Sequence, residues 1–145
     1  MNAEKWQAVL LRTVGAVECL AFAAVVVPFR WMEAVHQWLG LGQMPDATVL
    51  RYLIREASFV YGVHGVLLWL LASDIERFRP LITFTGFSYL VTGPIFVVTG
   101  ATAGMPWFWF IGEGLSCLAV GIVVLWLAVV GRHGVRQDAV RPTES

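Results

Sequence analysis

The stretch Trp107 to Val130, WFWFIGEGLSCLAVGIVVLWLAVV, holds one charged residue, Glu113, in a run that is otherwise apolar or small. A helix rises 1.5 Å per residue, so about 20 such residues cross the roughly 30 Å of hydrocarbon in a bilayer. Three further runs share this character: Val9 to Val27, closed by Pro28; Ala57 to Ala72; and Leu81 to Thr99. The second is short alone, but it continues backward through Val49 to Glu56 to about position 47, where Asp46 or Thr48 is placed to cap a helix. The expected fold class is an all-α integral membrane protein. A four-transmembrane-helix bundle forms a single domain over 1–145, with a polar cytoplasmic tail at 131–145.

Composition supports this. Of the 145 residues 58% are hydrophobic, more than one soluble core can bury. Ten Lys plus Arg balance ten Asp plus Glu, which leaves no basic surface for nucleic acid. Cys19 and Cys117 sit in apolar runs as small hydrophobes, so neither a disulfide framework nor a zinc site is expected. Ala21-Phe22-Ala23 has the form of a signal-peptide cleavage site. Glu18 interrupts the apolar region before it, so the first run is read as a retained span.

Cytoplasmic loops retain Lys and Arg, which sets the direction. Lys5, Arg12, Arg77, Arg79, Arg132, Arg136 and Arg141 fall on one side; Arg30, Arg51 and Arg55 fall on the other. Both termini are therefore expected in the cytoplasm, with the first and third loops outside, in a bacterial plasma (inner) membrane. Trp31, Trp38, Trp107 and Trp109 mark an outer headgroup belt, and Trp6, Trp69 and Trp126 an inner one. Phe29 to Gly40 segregates Trp31, Met32, Val35, Trp38 and Leu39 from Arg30, Glu33 and Gln37, the pattern of a short interfacial helix in the first external loop. Ser73-Asp74-Ile75-Glu76 has capping-box spacing, and Pro80 suits a first helical turn, so the second loop is expected to be a tight cytoplasmic turn.

Helices in lipid associate through close backbone approach and buried polar contacts. Gly15, Cys19 and Ala23 in the first span, Ser58, Gly62 and Gly65 in the second, Gly86, Gly93 and Gly100 in the third, and Gly114, Cys117 and Gly121 in the fourth are the expected seam residues. Gly93-Pro94 is expected to kink the third span, with Thr85, Ser88, Thr92 and Thr99 on one face to bond freed carbonyls.

Ionisable groups inside spans cost roughly 2.5 to 3.5 kcal/mol on insertion scales and usually face a bundle interior in pairs. Counted at about 1.5 Å per residue from the outer ends, Glu18 lies about 15 Å deep, His64 about 11 Å and Glu113 about 9 Å. Arg55 and Glu56 enter from the outer rim, and Tyr61, Tyr89 and Thr92 have comparable depth. Glu18, Arg55, Glu56, Tyr61, His64, Tyr89, Thr92 and Glu113 thus form the candidate buried polar cluster or ligand-binding layer. Arg55 is the expected counter-ion of Glu113 or Glu18, because a guanidinium contacts a carboxylate through two prongs. Structural pairing and a site for protons, a ligand or an ion both remain open, and His64 is either a bonded core residue or the base of the cluster.

Other motifs are set aside. Glu33-Ala34-Val35-His36 has the Glu-x-x-His spacing of carboxylate di-iron bundles, but that chemistry needs two such motifs plus two more Glu from facing helices, and only one motif is present, on the expected surface helix. No metal ligand set, catalytic residue or cofactor is therefore expected, and no phosphate loop, nucleophile elbow or haem motif occurs.

The Gly-rich first helix from Gly15 to Pro28-Phe29-Arg30-Trp31, the segment Arg55-Glu56-Ala57-Ser58-Phe59-Val60-Tyr61-Gly62, and Asp74-Ile75-Glu76-Arg77-Phe78-Arg79-Pro80-Leu81 carry a resemblance. With them the chain resembles the small four-helix bacterial membrane proteins grouped with the DoxX-like proteins and related families of unknown function. That resemblance implies a four-helix architecture and an accessory or quinone-adjacent role beside an oxidoreductase; it carries over no catalytic residue. The expected function is an accessory subunit of a membrane complex or a module binding a lipophilic small molecule. A quinone-linked oxidoreductase subunit and a proton-coupled small transporter are the alternatives. The expected partners are the bilayer, other membrane subunits or a homo-oligomer, and a lipophile.

Overall fold

The computed structural model describes residues 3–138, with side chains over residues 3–131. The side chains of Arg132 and Arg136, and the tail from 139 onward, lie outside the described residues. Among the described residues six helices follow in order: α1 (Ala3–Cys19), α2 (Phe22–Val26), α3 (Phe29–Trp38), α4 (Thr48–Leu71), α5 (Arg79–Thr102) and α6 (Trp107–Asp138). Four segments of the described residues are long and apolar enough to cross a membrane: Ala3–Val26, Thr48–Leu71, Arg79–Thr102 and Trp107–Gly131. No strand occurs among the described residues.

The chain divides into two compact units. One comprises the first turns of α1 up to Leu10 together with the chain from Leu71 onward. Here α5 and α6 run antiparallel along glycines, because a Cβ on Gly93 would lie 2.8 Å from the Gly114 carbonyl oxygen and one on Gly121 2.8 Å from that of Gly86. Absence of side chains lets the two backbones touch, the arrangement that gives packing in lipid its attraction. Ile82 and Val124 are fully buried in this seam. Gln7, only 3% exposed, donates from Nε2 to the Val124 carbonyl at 3.1 Å, and Arg79 pairs with Glu4 at 3.3 Å.

Two hydroxyls of the expected stripe on α5 bond their own helix: Ser88 donates to the Phe84 carbonyl at 3.0 Å and Thr99 to that of Ile95 at 2.8 Å. The helix runs through Pro94 without a break. In the turn before α5, the Asp74 carboxylate accepts from the Arg77 backbone N–H at 3.0 Å, and Pro80 occupies the first turn of α5.

The other unit is Leu11–Leu70. α1 stops at Cys19, and the next hydrogen bonds tighten: Leu20 N–H donates to Val17, Ala21 to Glu18, Ala23 to Leu20 and Ala24 to Ala21, all three residues back. This short 3₁₀-type stretch leads into α2, after which Val27 becomes extended before Pro28, as the proline ring demands of its predecessor. α3 buries none of its residues, and Trp38 is 83% exposed. It ends in a Schellman motif, with Leu41 N–H donating to His36 and Gly40 N–H to Gln37, around Gly40 at φ +74°. α4 then starts at Thr48. Asp46, an expected cap, instead holds the Arg51 guanidinium at 3.2 Å.

Candidate functional site

In the Leu11–Leu70 unit, α1 and α4 run antiparallel along a seam that can be followed contact by contact. Trp69 Nε1 donates to the Arg12 carbonyl at 2.9 Å. Gly15 and Gly65 come next, so close that a Cβ on Gly65 would sit 2.5 Å from the Gly15 carbonyl oxygen. Glu18 then meets His64, the Cys19 thiol points to the Gly62 carbonyl at 3.7 Å, and the Phe22 ring packs edge-on to Phe59 with centroids 5.9 Å apart. Small residues draw the backbones together in the first half of this seam. Two phenyl rings wedge them apart in the second.

The Glu18–His64 contact is the seam's polar centre, with Oε2 and Nδ1 2.6 Å apart. The Glu18 side chain is 14% exposed and that of His64 37%. A carboxyl oxygen and an imidazole nitrogen this close are joined by a hydrogen bond, which fixes the ring's orientation. The expected role of Arg55 as counter-ion is thereby corrected: His64 takes Glu18, and Arg55 makes no ion pair among the described residues. The reason is register. Arg55 lies more than two turns before His64 on α4, and the antiparallel course of α1 brings Glu18 opposite His64.

Beyond Phe22 and Phe59 the helices no longer touch along small residues, and a cleft of about 750 Å³ opens between the α2–α3 corner and the first half of α4. Val25, Phe29, Phe59 and Val60 supply its apolar lining. Thr48, Arg51, Tyr52, Arg55 and Glu56 supply its polar lining. Arg51 is occupied twice, by Asp46 and by the Phe29 ring 5.4 Å below its guanidinium carbon. Tyr52 stands one turn before Glu56 on α4. Arg55 and Glu56 therefore reach the cleft as opposite charges, neither of them in an ion pair among the described residues.

Of the sequence candidates, this unit brings together Glu18 with His64 and, separately, Arg55 with Glu56. Tyr61 is on α4 and 44% exposed. Tyr89 and Thr92 on α5 and Glu113 on α6 belong to the other unit. Burial corrects the expectation for four of the eight: Arg55, Glu56, Tyr61 and Glu113 are exposed, and Glu113 has no hydrogen bond or ion pair among the described residues. Sequence reasoning did not single out Val25, Phe29, Thr48, Arg51, Tyr52, Phe59 and Val60 as a lining; the signal available was the Pro28 corner opposite the charged start of α4.

Among the described residues no three His, Cys, Asp or Glu gather to hold a metal ion. The Glu33-x-x-His36 pair has other contacts: His36 Nδ1 donates to the Gly42 carbonyl at 3.0 Å, and Glu33 accepts from Gln37 at 3.4 Å. Compared with models of known protein families, with curated proteins and with solved structures, the chain matches none.

Proposed function

We propose that this is a bacterial inner-membrane protein that spans the bilayer four times and holds a lipophilic small molecule in the cleft between the α2–α3 corner and α4. The observation that carries the reading is that cleft: about 750 Å³, lined by the apolar Val25, Phe29, Phe59 and Val60 and by the charged Arg51, Arg55 and Glu56. Clefts of this size and mixed lining are the usual form of small-molecule sites. Both termini lie in the cytoplasm, because most of the Lys and Arg flank the cytoplasmic ends of the spans. α3, with no buried residue and with Trp31 and Trp38 exposed, lies in the outer headgroup layer beside the cleft mouth. Glu113 supports a second feature of the reading, contact with another chain in the membrane as accessory subunit or homo-oligomer, since an exposed carboxylate in a span needs a polar neighbour.

Native mass spectrometry of the protein extracted in mild detergent tests the cleft. A stoichiometric lipophile retained by the wild type and lost from Val60→Trp, which adds bulk to the apolar lining, is the expected result. A bare chain under both conditions contradicts the reading.

The Glu18–His64 pair favours one alternative, a proton-coupled small transporter in which the pair is the relay. Proteoliposomes enclosing a pH indicator separate the two: proton entry that stops in Glu18→Gln supports transport, and a silent indicator leaves the pair as the seam's polar centre.

A further inference from the structure

Resting on the reading of the cleft as a lipophile site, we propose that its occupant is an aminophospholipid, a lipid whose head carries a phosphodiester next to a primary ammonium. The argument is charge complementarity. Arg51 already has partners, Asp46 at 3.2 Å and the Phe29 ring 5.4 Å from its guanidinium carbon. That leaves Arg55 and Glu56 as the charges offered to a ligand, consecutive on α4 and both lining the cleft. A guanidinium binds a phosphodiester through paired N–H donors. A primary ammonium has three donors for the Glu56 carboxylate. A head with phosphate alone leaves Glu56 facing an anion without a partner. A quaternary ammonium brings charge but no donor. The acyl chains take the apolar lining of Val25, Phe59 and Val60, and the head stays beside Arg55 at the charged start of α4.

The test is native mass spectrometry of the detergent-solubilised protein titrated with four lipids of identical chains: phosphatidylethanolamine, phosphatidylcholine, phosphatidylglycerol and diacylglycerol. The expected result is that phosphatidylethanolamine binds at least about ten-fold more tightly than the other three. Glu56→Gln is expected to erase its advantage over phosphatidylglycerol, and Arg55→Gln to reduce every phospholipid to the level of diacylglycerol. Both side chains are exposed, so the variants should keep the wild-type melting temperature; a phospholipid preference lost only together with the fold overturns the proposal. Phosphatidylglycerol binding as well as phosphatidylethanolamine overturns the reading of the head and leaves the cleft a phospholipid site. Equal binding of all four also overturns it and leaves the lipophile reading standing. No binding by any lipid, with wild-type melting, removes both. Soluble glycerophosphoethanolamine is expected to compete only weakly, and competition at the lipid's own affinity would make the ligand a free headgroup compound instead.

Discussion

Glu18 on α1 and His64 on α4 meet with Oε2 and Nδ1 2.6 Å apart, and the meeting sets the register of two antiparallel helices. Above it lies the Cys19–Gly62 contact and below it the Gly15–Gly65 approach. Polar contacts inside membrane helices contribute about 0.6 to 2 kcal/mol. Glu18→Gln and His64→Leu should each lower the melting temperature in detergent. In a double-mutant cycle the pair should show a coupling of about 1 kcal/mol; coupling within error of zero would mean that the contact does not hold the seam.

The glycine pair is the less forgiving half of the same seam. A Cβ on Gly65 meets backbone, the Gly15 carbonyl oxygen at 2.5 Å, and no rotamer change relieves a backbone clash. Gly65→Val is expected to cost about 1 to 3 kcal/mol or more. Gly112→Val has nothing within 4 Å of its new Cβ and should leave melting nearly unchanged. Equal melting of the two variants would contradict this packing.

Glu113→Gln separates burial from exposure. Because Glu113 is exposed and makes no hydrogen bond or ion pair among the described residues, neutralising it should change the stability of the isolated chain by less than about 0.5 kcal/mol. If it contacts another chain, the same change should alter the oligomer distribution in nanodiscs. A loss of stability matching that of Glu18→Gln would place it in a buried polar contact.

Topology is checked by single cysteines. With Gln43→Cys in the loop after α3 and Glu76→Cys in the turn before α5, a membrane-impermeant maleimide should label intact cells at position 43 only. Labelling at position 76 before permeabilisation would reverse the orientation.

The long elements were legible because their signal is coarse. The run from Trp107 to Val130 has no competing reading, and Pro28 and Pro80 mark where helices must start afresh. Local chemistry was harder. Asp46 stands where a cap is expected, but Arg51 one turn later offers a charged partner that a backbone N–H does not match. The tightened turns after Cys19 have no sequence signature, since Leu20, Ala21 and Phe22 all tolerate an α-helix. Depth counted along each span put Glu18 and His64 in one layer, yet it could not give their azimuth around the helix. The structure shows that the two side chains face each other across the seam, with Arg55 more than two turns away along α4. The cleft was invisible for the same reason, because its lining joins residues from two elements across the Pro28 corner.

The central claim is that a lipophile occupies the cleft, and the most direct measurement is photo-cross-linking in membranes with a trace photoactivatable phosphatidylethanolamine, mapped by peptide mass spectrometry. A saturable adduct should concentrate on segments 25–29 and 48–60, fall when unlabelled phosphatidylethanolamine is added, and disappear in Val60→Trp. Adducts spread evenly over the exposed faces of α5 and α6, unsaturable and unchanged in that variant, would show a protein that merely sits among its lipids and would contradict the account.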